Sequence, residues 1–173
     1  MDASQPLPRL WLMTDERQGD AVLEAVARLP EGAGIVFRHY SLPEPERRAW
    51  FGRVRVAAGG RLLLLAGTAE TARAWGGDGS HGPGTGEGLR TASAHDLAEI
   101  RAAEAAGAAA IFLGPVFPTR SHPERPPLGP ERFDALARQT KLPVIALGGM
   151  NAEHAKTLTE AYGWAGIDAW SGA

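Results

Sequence analysis

The sequence predicts a one-domain α/β fold built on parallel strands. Short apolar runs without alternation recur along the chain, and most are followed by a segment of helical periodicity. No polar linker or shift in composition divides the 173 residues, so residues 1–173 read as a single domain. Hydrophobic residues make up 44% and charged residues 22%, which excludes a disordered, fibrous or coiled-coil chain. Two architectures fit this pattern: an open doubly wound sheet and a closed (β/α)8 barrel. Eight successive strands favour closure. The length argues the other way, because such barrels ordinarily need about 250 residues and seldom fewer than roughly 200.

The first strand is Leu10 to Thr14, ended by Asp15. Asp20 to Leu29 reads as a helix, with Val22, Leu23, Val26 and Leu29 on one face, stopped by Pro30 and Gly32. Gly34 to Phe37 is a strand and Pro45 to Ala58 a helix ended by Gly59-Gly60. Leu62 to Leu65 is a buried strand, and Thr68 can cap a short helix over Ala69 to Trp75. Gly77 to His81 is a weak fourth strand and Leu89 to Ser93 a fifth. Asp96 to Ala106 is a helix closed by Gly107. Ala109 to Leu113 is a strand, followed by a loop rich in proline and charge. Pro130 opens a helix reaching about Gln139. Pro143 to Leu147 is a strand, Asn151 caps a helix over Ala152 to Ala161, and Gly166 to Trp170 is the last strand.

Composition narrows the function classes. A net charge of −2 gives no electrostatic footprint for nucleic acid. With no cysteine, disulfides, thiolate metal sites and cysteine nucleophiles are excluded. The longest apolar runs, Leu62 to Ala66 and Val144 to Leu147, are too short to span a bilayer, and the first ten residues lack a signal-peptide pattern. The expected setting is the cytoplasm.

Ligands of parallel α/β folds sit at the C-terminal strand ends, and the loops after strands seven and eight of a barrel commonly hold phosphate. Gly148-Gly149-Met150-Asn151 and Ser171-Gly172 fall in those loops, so Gly148, Gly149, Ser171 and Gly172 are candidate phosphate contacts; ordinary tight turns are the plainer alternative. Gly77 to Gly82 matches G-x-G-x-x-G but opens no helix, and it reads with Gly82 to Gly88 as flexible loop. None of the five histidines has metal-helix spacing. His95 is placed to help start a helix, His154 to face solvent, and His122 to reach over a pocket. Arg38 ends a strand, where it can fork onto phosphate or carboxylate or pair with Asp15.

Several stretches together carry a resemblance: Ser93-Ala94-His95, Gly114-Pro115-Val116-Phe117-Pro118-Thr119, Pro127-Leu128-Gly129 and Pro143 through Met150. Leu12 to Asp15 and Gly77 to His81 extend it toward the start. In order and spacing the chain resembles the thiamine phosphate synthase family, which includes related thiazole tautomerases. The resemblance implies a (β/α)8 TIM barrel. It also implies coupling of hydroxymethylpyrimidine diphosphate with thiazole phosphate, in which pyrophosphate leaves and the thiazole nitrogen captures a pyrimidine cation. Mg2+ and cationic side chains would hold the leaving charge.

Residue by residue, the resemblance implies catalytic roles for Arg38, Ser93 and His122, substrate contacts at Thr119 and Ser121, and a thiazole-phosphate cup at Gly148, Gly149 and Ser171. Other matched positions differ. The family's glutamine and lysine beside Arg38 fall on Val36 and Tyr40, and its Asn-Asp pair after strand three on Ala66-Gly67. A second metal-binding aspartate falls near Gly86, with Glu87 adjacent, and the loop lysine falls on His122. The tautomerase histidine falls on Pro115. Mg2+ is therefore implied as a cofactor while its carboxylate ligands are missing from the matched positions. Three readings follow: a synthase-like protein, a non-catalytic relative binding a small phosphorylated ligand, and a different enzyme on the same barrel.

The length then reads as trimming. The eighth strand is expected to lie immediately before Ser171, with no eighth helix behind it. The exposed barrel flank is expected to be covered by Pro6 to Arg9 or by a second copy in a homodimer.

Overall fold

The computed structural model describes residues 6–119 and 125–170. Eight parallel strands close into a barrel in chain order. They are β1 (Leu10–Met13), β2 (Gly34–Phe37), β3 (Leu62–Ala66), β4 (Gly79–His81), β5 (Leu89–Ala94), β6 (Ala110–Leu113), β7 (Val144–Leu147) and β8 (Gly163–Gly166). Closure is made by β1, where Trp11 pairs with Gly34 of β2 on one side and Ala165 of β8 on the other. The open sheet is thereby excluded. The described α-helices are α1 (Ala21–Arg28), α2 (Glu44–Ala58), α3 (Ala69–Ala74), α4 (Leu97–Ala105), α5 (Gly129–Ala137) and α6 (Ala152–Ala155).

The strands lack alternation because both faces are buried. Inward residues form the barrel core, including Trp11, Met13, Val36, Leu64, Phe112 and Ile145. Outward residues build two belts. Leu12, Ile35, Phe37, Leu63 and Leu65 pack under α1 to α3, and Ile111, Leu113 and Val144 pack under α4 and α5. Trp11 fills the lower barrel, edge-on to Phe112 at 5.2 Å, and it does so against Gly34, where an added Cβ would collide with the indole. Two helices are capped as the sequence predicts, by Thr68 and Asn151, and Asp96, read as the first residue of its helix, is its cap. Thr68, Asp96 and Asn151 accept the Thr71, Glu99 and His154 amides at 3.1, 2.9 and 2.8 Å.

The last quarter of the chain departs from expectation. The helix predicted over Ala152 to Ala161 is a single turn, α6. The buried carboxylate of Asp134 on α5 accepts the Thr159 hydroxyl at 2.7 Å and the Thr159 and Glu160 amides at 3.0–3.1 Å. Those amides are therefore not available to continue the helix. The chain is released early, and Tyr162 donates to the Val144 carbonyl at 2.8 Å, which begins the β7–β8 pairing. The last strand is accordingly Gly163–Gly166, not Gly166 to Trp170, and Asp168–Trp170 form a short 3-10 turn.

That turn also changes the account of the barrel flank. Among the described residues no α-helix follows β8. Trp170 packs against the β1–β3 belt and stacks on Trp164 of the other belt, with centroids 5.3 Å apart and planes at 8°. Pro6 to Arg9 runs into β1 beside the start of β8, where the Trp164 amide donates to the Arg9 carbonyl at 2.8 Å. It lies under the N-terminal end of the barrel, where Arg9 donates to the Tyr162 carbonyl and the Tyr162 hydroxyl to the Leu7 carbonyl, at 2.8 and 2.7 Å. The glycine-rich stretch 82–88 is likewise held in place. Arg90, buried on the outer face of β5, donates to the carbonyls of Gly84, Gly86 and Ala106.

Gly34→Ala is expected to lower unfolding stability by about 1–3 kcal/mol, the usual cost of overpacking a filled core. Urea unfolding should show a lower midpoint with an unchanged slope.

Candidate functional site at the barrel mouth

A cavity of about 690 Å3 opens at the C-terminal ends of the strands. It gathers Arg38 from the β2 end, Ser93 from β5, Thr119 from the β6 loop, and Gly148 and Gly149 from the β7 end. Five of the sequence-predicted residues thus share one site. Ser121, His122, Ser171 and Gly172 lie outside the described residues. Because β8 ends at Gly166, Ser171-Gly172 does not terminate that strand. Asp168 instead lines the cavity there.

Arg38 makes the Asp15 ion pair that its strand-end position allows, and it faces the cavity. Its amide donates to Thr14 Oγ1 at 2.9 Å and its Nε to the Thr14 carbonyl at 2.7 Å. Its Nη2 pairs with Asp15 at 3.4 Å, and it lines the cavity as well. Burial pulls its pKa below the ordinary arginine value, and the Asp15 charge opposes that. Arg17 grips the same carboxylate through two bonds at 2.8 and 2.5 Å. Asp15 is held down to about 2, chiefly by that Arg17 hydrogen bond acting against burial, with Arg38 a smaller contributor.

His81 was not among the predicted site residues. It points inward from β4, buried, with its ring edge-on to Phe112 at 4.9 Å. Nδ1 meets Thr91 Oγ1 at 2.8 Å and Nε2 meets Ser93 Oγ at 2.9 Å. Burial, reinforced by the positive charge of Arg38, pushes its pKa down to about 4. The ring is neutral at physiological pH and holds the Ser93 hydroxyl at the cavity wall. The signal was the two-residue alternation of β4, which puts Gly79 and His81 on the same inward face.

His95 behaves as expected, bonding Glu99 at 2.7 Å beside the α4 cap. The Gly148-Gly149 turn has φ of +91° and +62°. An added Cβ at Gly149 would stand 2.6 Å from the Pro118 carbonyl. The turn's carbonyls are both occupied: the Phe117 amide donates to Gly148 at 3.1 Å and His154 Nδ1 to Gly149 at 2.6 Å. His154 does not face solvent freely; it folds back onto the turn and stacks on Phe117 at 4.0 Å.

A family model described as thiamine monophosphate synthase matches residues 10–171. The chain belongs to the thiamine monophosphate synthase family. It is 33% identical to "Putative thiamine-phosphate synthase 2" of Aquifex aeolicus over 93% of this chain and 96% of that one. It is 43% identical to a thiamine-phosphate synthase of Myxococcus xanthus over 70 residues, 40% of this chain and 31% of the relative. The thiamine phosphate pyrophosphorylase structure from Pyrococcus furiosus superposes with a TM-score of 0.79 at 26% identity, covering 96% of this chain and 88% of that one.

The family is Mg2+-dependent in general. Mg2+ requires a near-octahedral oxygen shell, usually with one or two carboxylates. The β3 end presents buried Ala66 and then Gly67, neither with a side-chain oxygen. Asp78 sits below β3 and β4, where it accepts the Leu63 amide at 2.7 Å and Arg55 at 2.8 Å. Glu87 is exposed, lies 3.5 Å from Arg73 and does not line the cavity. Among the described residues no three His, Cys, Asp or Glu converge, and Asp168 is the one carboxylate on the cavity wall. The described residues do not fit a resident Mg2+.

The folded pKa of His81 lies below the ordinary 6.5 of the unfolded chain, so the unfolded state binds the extra proton first as pH falls. Stability is expected to decline between about pH 6.5 and 4, by an order of 3 kcal/mol at most. NMR titration should show the His81 ring neutral down to about pH 5. Titration near 6.5 would contradict the buried network.

Proposed function

We propose that the cavity takes the phosphorylated thiazole of thiamine biosynthesis, and that the chain works as a thiamine phosphate synthase-like protein. The observation that carries this reading is the pairing of a fixed cation with a side-chain-free turn. Arg38 is anchored by Thr14 and Asp15 on one wall, and Gly148-Gly149 forms another wall. Backbone amides of such a turn suit an ester phosphate, and the anchored arginine suits the diphosphate of the second substrate. Ser171 and Gly172 are assigned to the same phosphate, and Thr119 and Ser121 to the heterocycles.

In the coupling reaction, pyrophosphate departs from the hydroxymethylpyrimidine and the thiazole nitrogen bonds to the carbon left behind. Arg38 and Arg125, both on the cavity wall, are assigned to the developing negative charge. His122 is assigned the same role. Ser93, oriented by neutral His81, is assigned to hold the pyrimidine ring. A second reading, a non-catalytic binder of the phosphorylated ligand, is favoured by the absent side-chain oxygens at Ala66-Gly67.

Thiazole phosphate is expected to bind with an affinity that weakens as salt rises, measurable by calorimetry. No binding would remove both readings. Turnover of the two substrates, with and without Mg2+, then separates them: thiamine phosphate formation selects the synthase, and binding without turnover the non-catalytic relative. Arg38→Ala should weaken the pyrimidine diphosphate complex at least roughly tenfold, the size of a charged hydrogen bond. Unchanged affinity with altered stability would reduce Arg38 to its ion pair with Asp15.

A further inference from the structure

We infer that His154, braced by Phe117, is a positioning residue that aims the amides of the Gly148-Gly149 turn at the ligand's phosphate. The inference rests on the phosphate reading of the cavity.

In a trans peptide unit the C=O and the following N–H point in opposite directions. The Gly148 carbonyl is drawn toward the Phe117 amide and the Gly149 carbonyl toward His154 Nδ1. The Gly149 and Met150 amides therefore point away from Phe117 and His154. Gly149 and Met150 line the cavity, whereas Phe117 and His154 do not. The two carbonyls are thus held off the cavity, and their partner amides are presented to it.

Glycine does not hold such a turn unaided. With no Cβ, Gly149 has access to both signs of φ, so the peptide unit it shares with Met150 can rotate. Rotation would bring the Gly149 carbonyl, a negative dipole end, against a phosphate. His154 prevents it with one bond. A carbonyl only accepts, so Nδ1 carries the proton in the neutral ring as well as in the charged one. The ring plane is fixed by the near-parallel stack on Phe117, at 4.0 Å and 20°. The placement follows from α6: Asn151 accepts the His154 amide, which sets that residue over the preceding turn. Phe117 thereby serves twice, by its amide on Gly148 and by its ring under His154.

The test uses three proteins and two readouts. Calorimetry with thiazole phosphate should show His154→Ala binding about tenfold more weakly. His154→Asn places an N–H donor at the same branch as Nδ1, and it should return affinity to within roughly threefold of the original. A role in stability alone predicts a lower Tm for His154→Ala at unchanged affinity, and that result overturns the proposal. So does failure of His154→Asn to recover. The second readout needs no ligand. In 1H–15N spectra of the free protein, the Gly149 and Met150 amides should shift and exchange faster in His154→Ala and not in His154→Asn. If the original protein binds no thiazole phosphate, the proposed ligand is wrong, and the amide signals still decide whether His154 sets the turn. Unmoved amides in His154→Ala overturn it.

Discussion

The pairing of β1 with β8 is the constraint on which the rest of the molecule depends. Once Leu10, Trp11 and Leu12 pair with Trp164, Ala165 and Gly166, the sheet has no edge and every strand is parallel to its neighbours. All the C-terminal ends then converge on one mouth, and strand alternation decides what they present to it. The closed interior has little room. Trp11 takes the lower part because Gly34 offers no side chain against its ring, and Phe112 meets its edge. Above them the barrel becomes polar, with Thr91, His81 and Ser93 bonded in a row. The floor of the cavity is therefore the upper surface of the barrel core.

Charge at the mouth is arranged by the same geometry. Arg38 is turned across the end of β1 by Thr14 and Asp15, and the Asp15 carboxylate is shared with Arg17. The lowered pKa of Asp15 keeps it charged at neutral pH, so Arg38 is already held in place when a ligand arrives and less ordering cost remains. His81 is held neutral by burial near the same arginine, which leaves the cation of Arg38 undiluted by a second one beneath it. Asp168 brings a negative charge to the β8 side of the cavity.

Much of the architecture was legible in the chain because its cause is local. Non-alternating strands such as Leu62–Ala66, the caps at Thr68 and Asn151, and the stop at Gly107 each depend on a few neighbouring residues. The site was legible where a residue type was out of place in its strand, as with Arg38, or where glycines marked a turn, as with Gly148-Gly149. It was not legible where a distant group decided the outcome. Asp134 lies 25 residues before Thr159, and its carboxylate ends α6 early and moves β8 toward the chain start. Arg90 turns a glycine-rich stretch into a fixed loop through carbonyls on two sides of its strand.

By itself the sequence determined the parallel α/β class, the order of eight strands, and a family resemblance concentrated at their C-terminal ends. These follow from hydrophobic period and turn chemistry, which act over a few residues. Only the tertiary structure decided the closure through Trp11, the neutral state of His81, the presence of Asp168 at the mouth, and the grip of His154 on the glycine turn. Each of these needs groups from separate strands or loops within hydrogen-bonding or packing distance. A one-dimensional pattern does not carry that information, because the bonds form only after the barrel has brought its strand ends together.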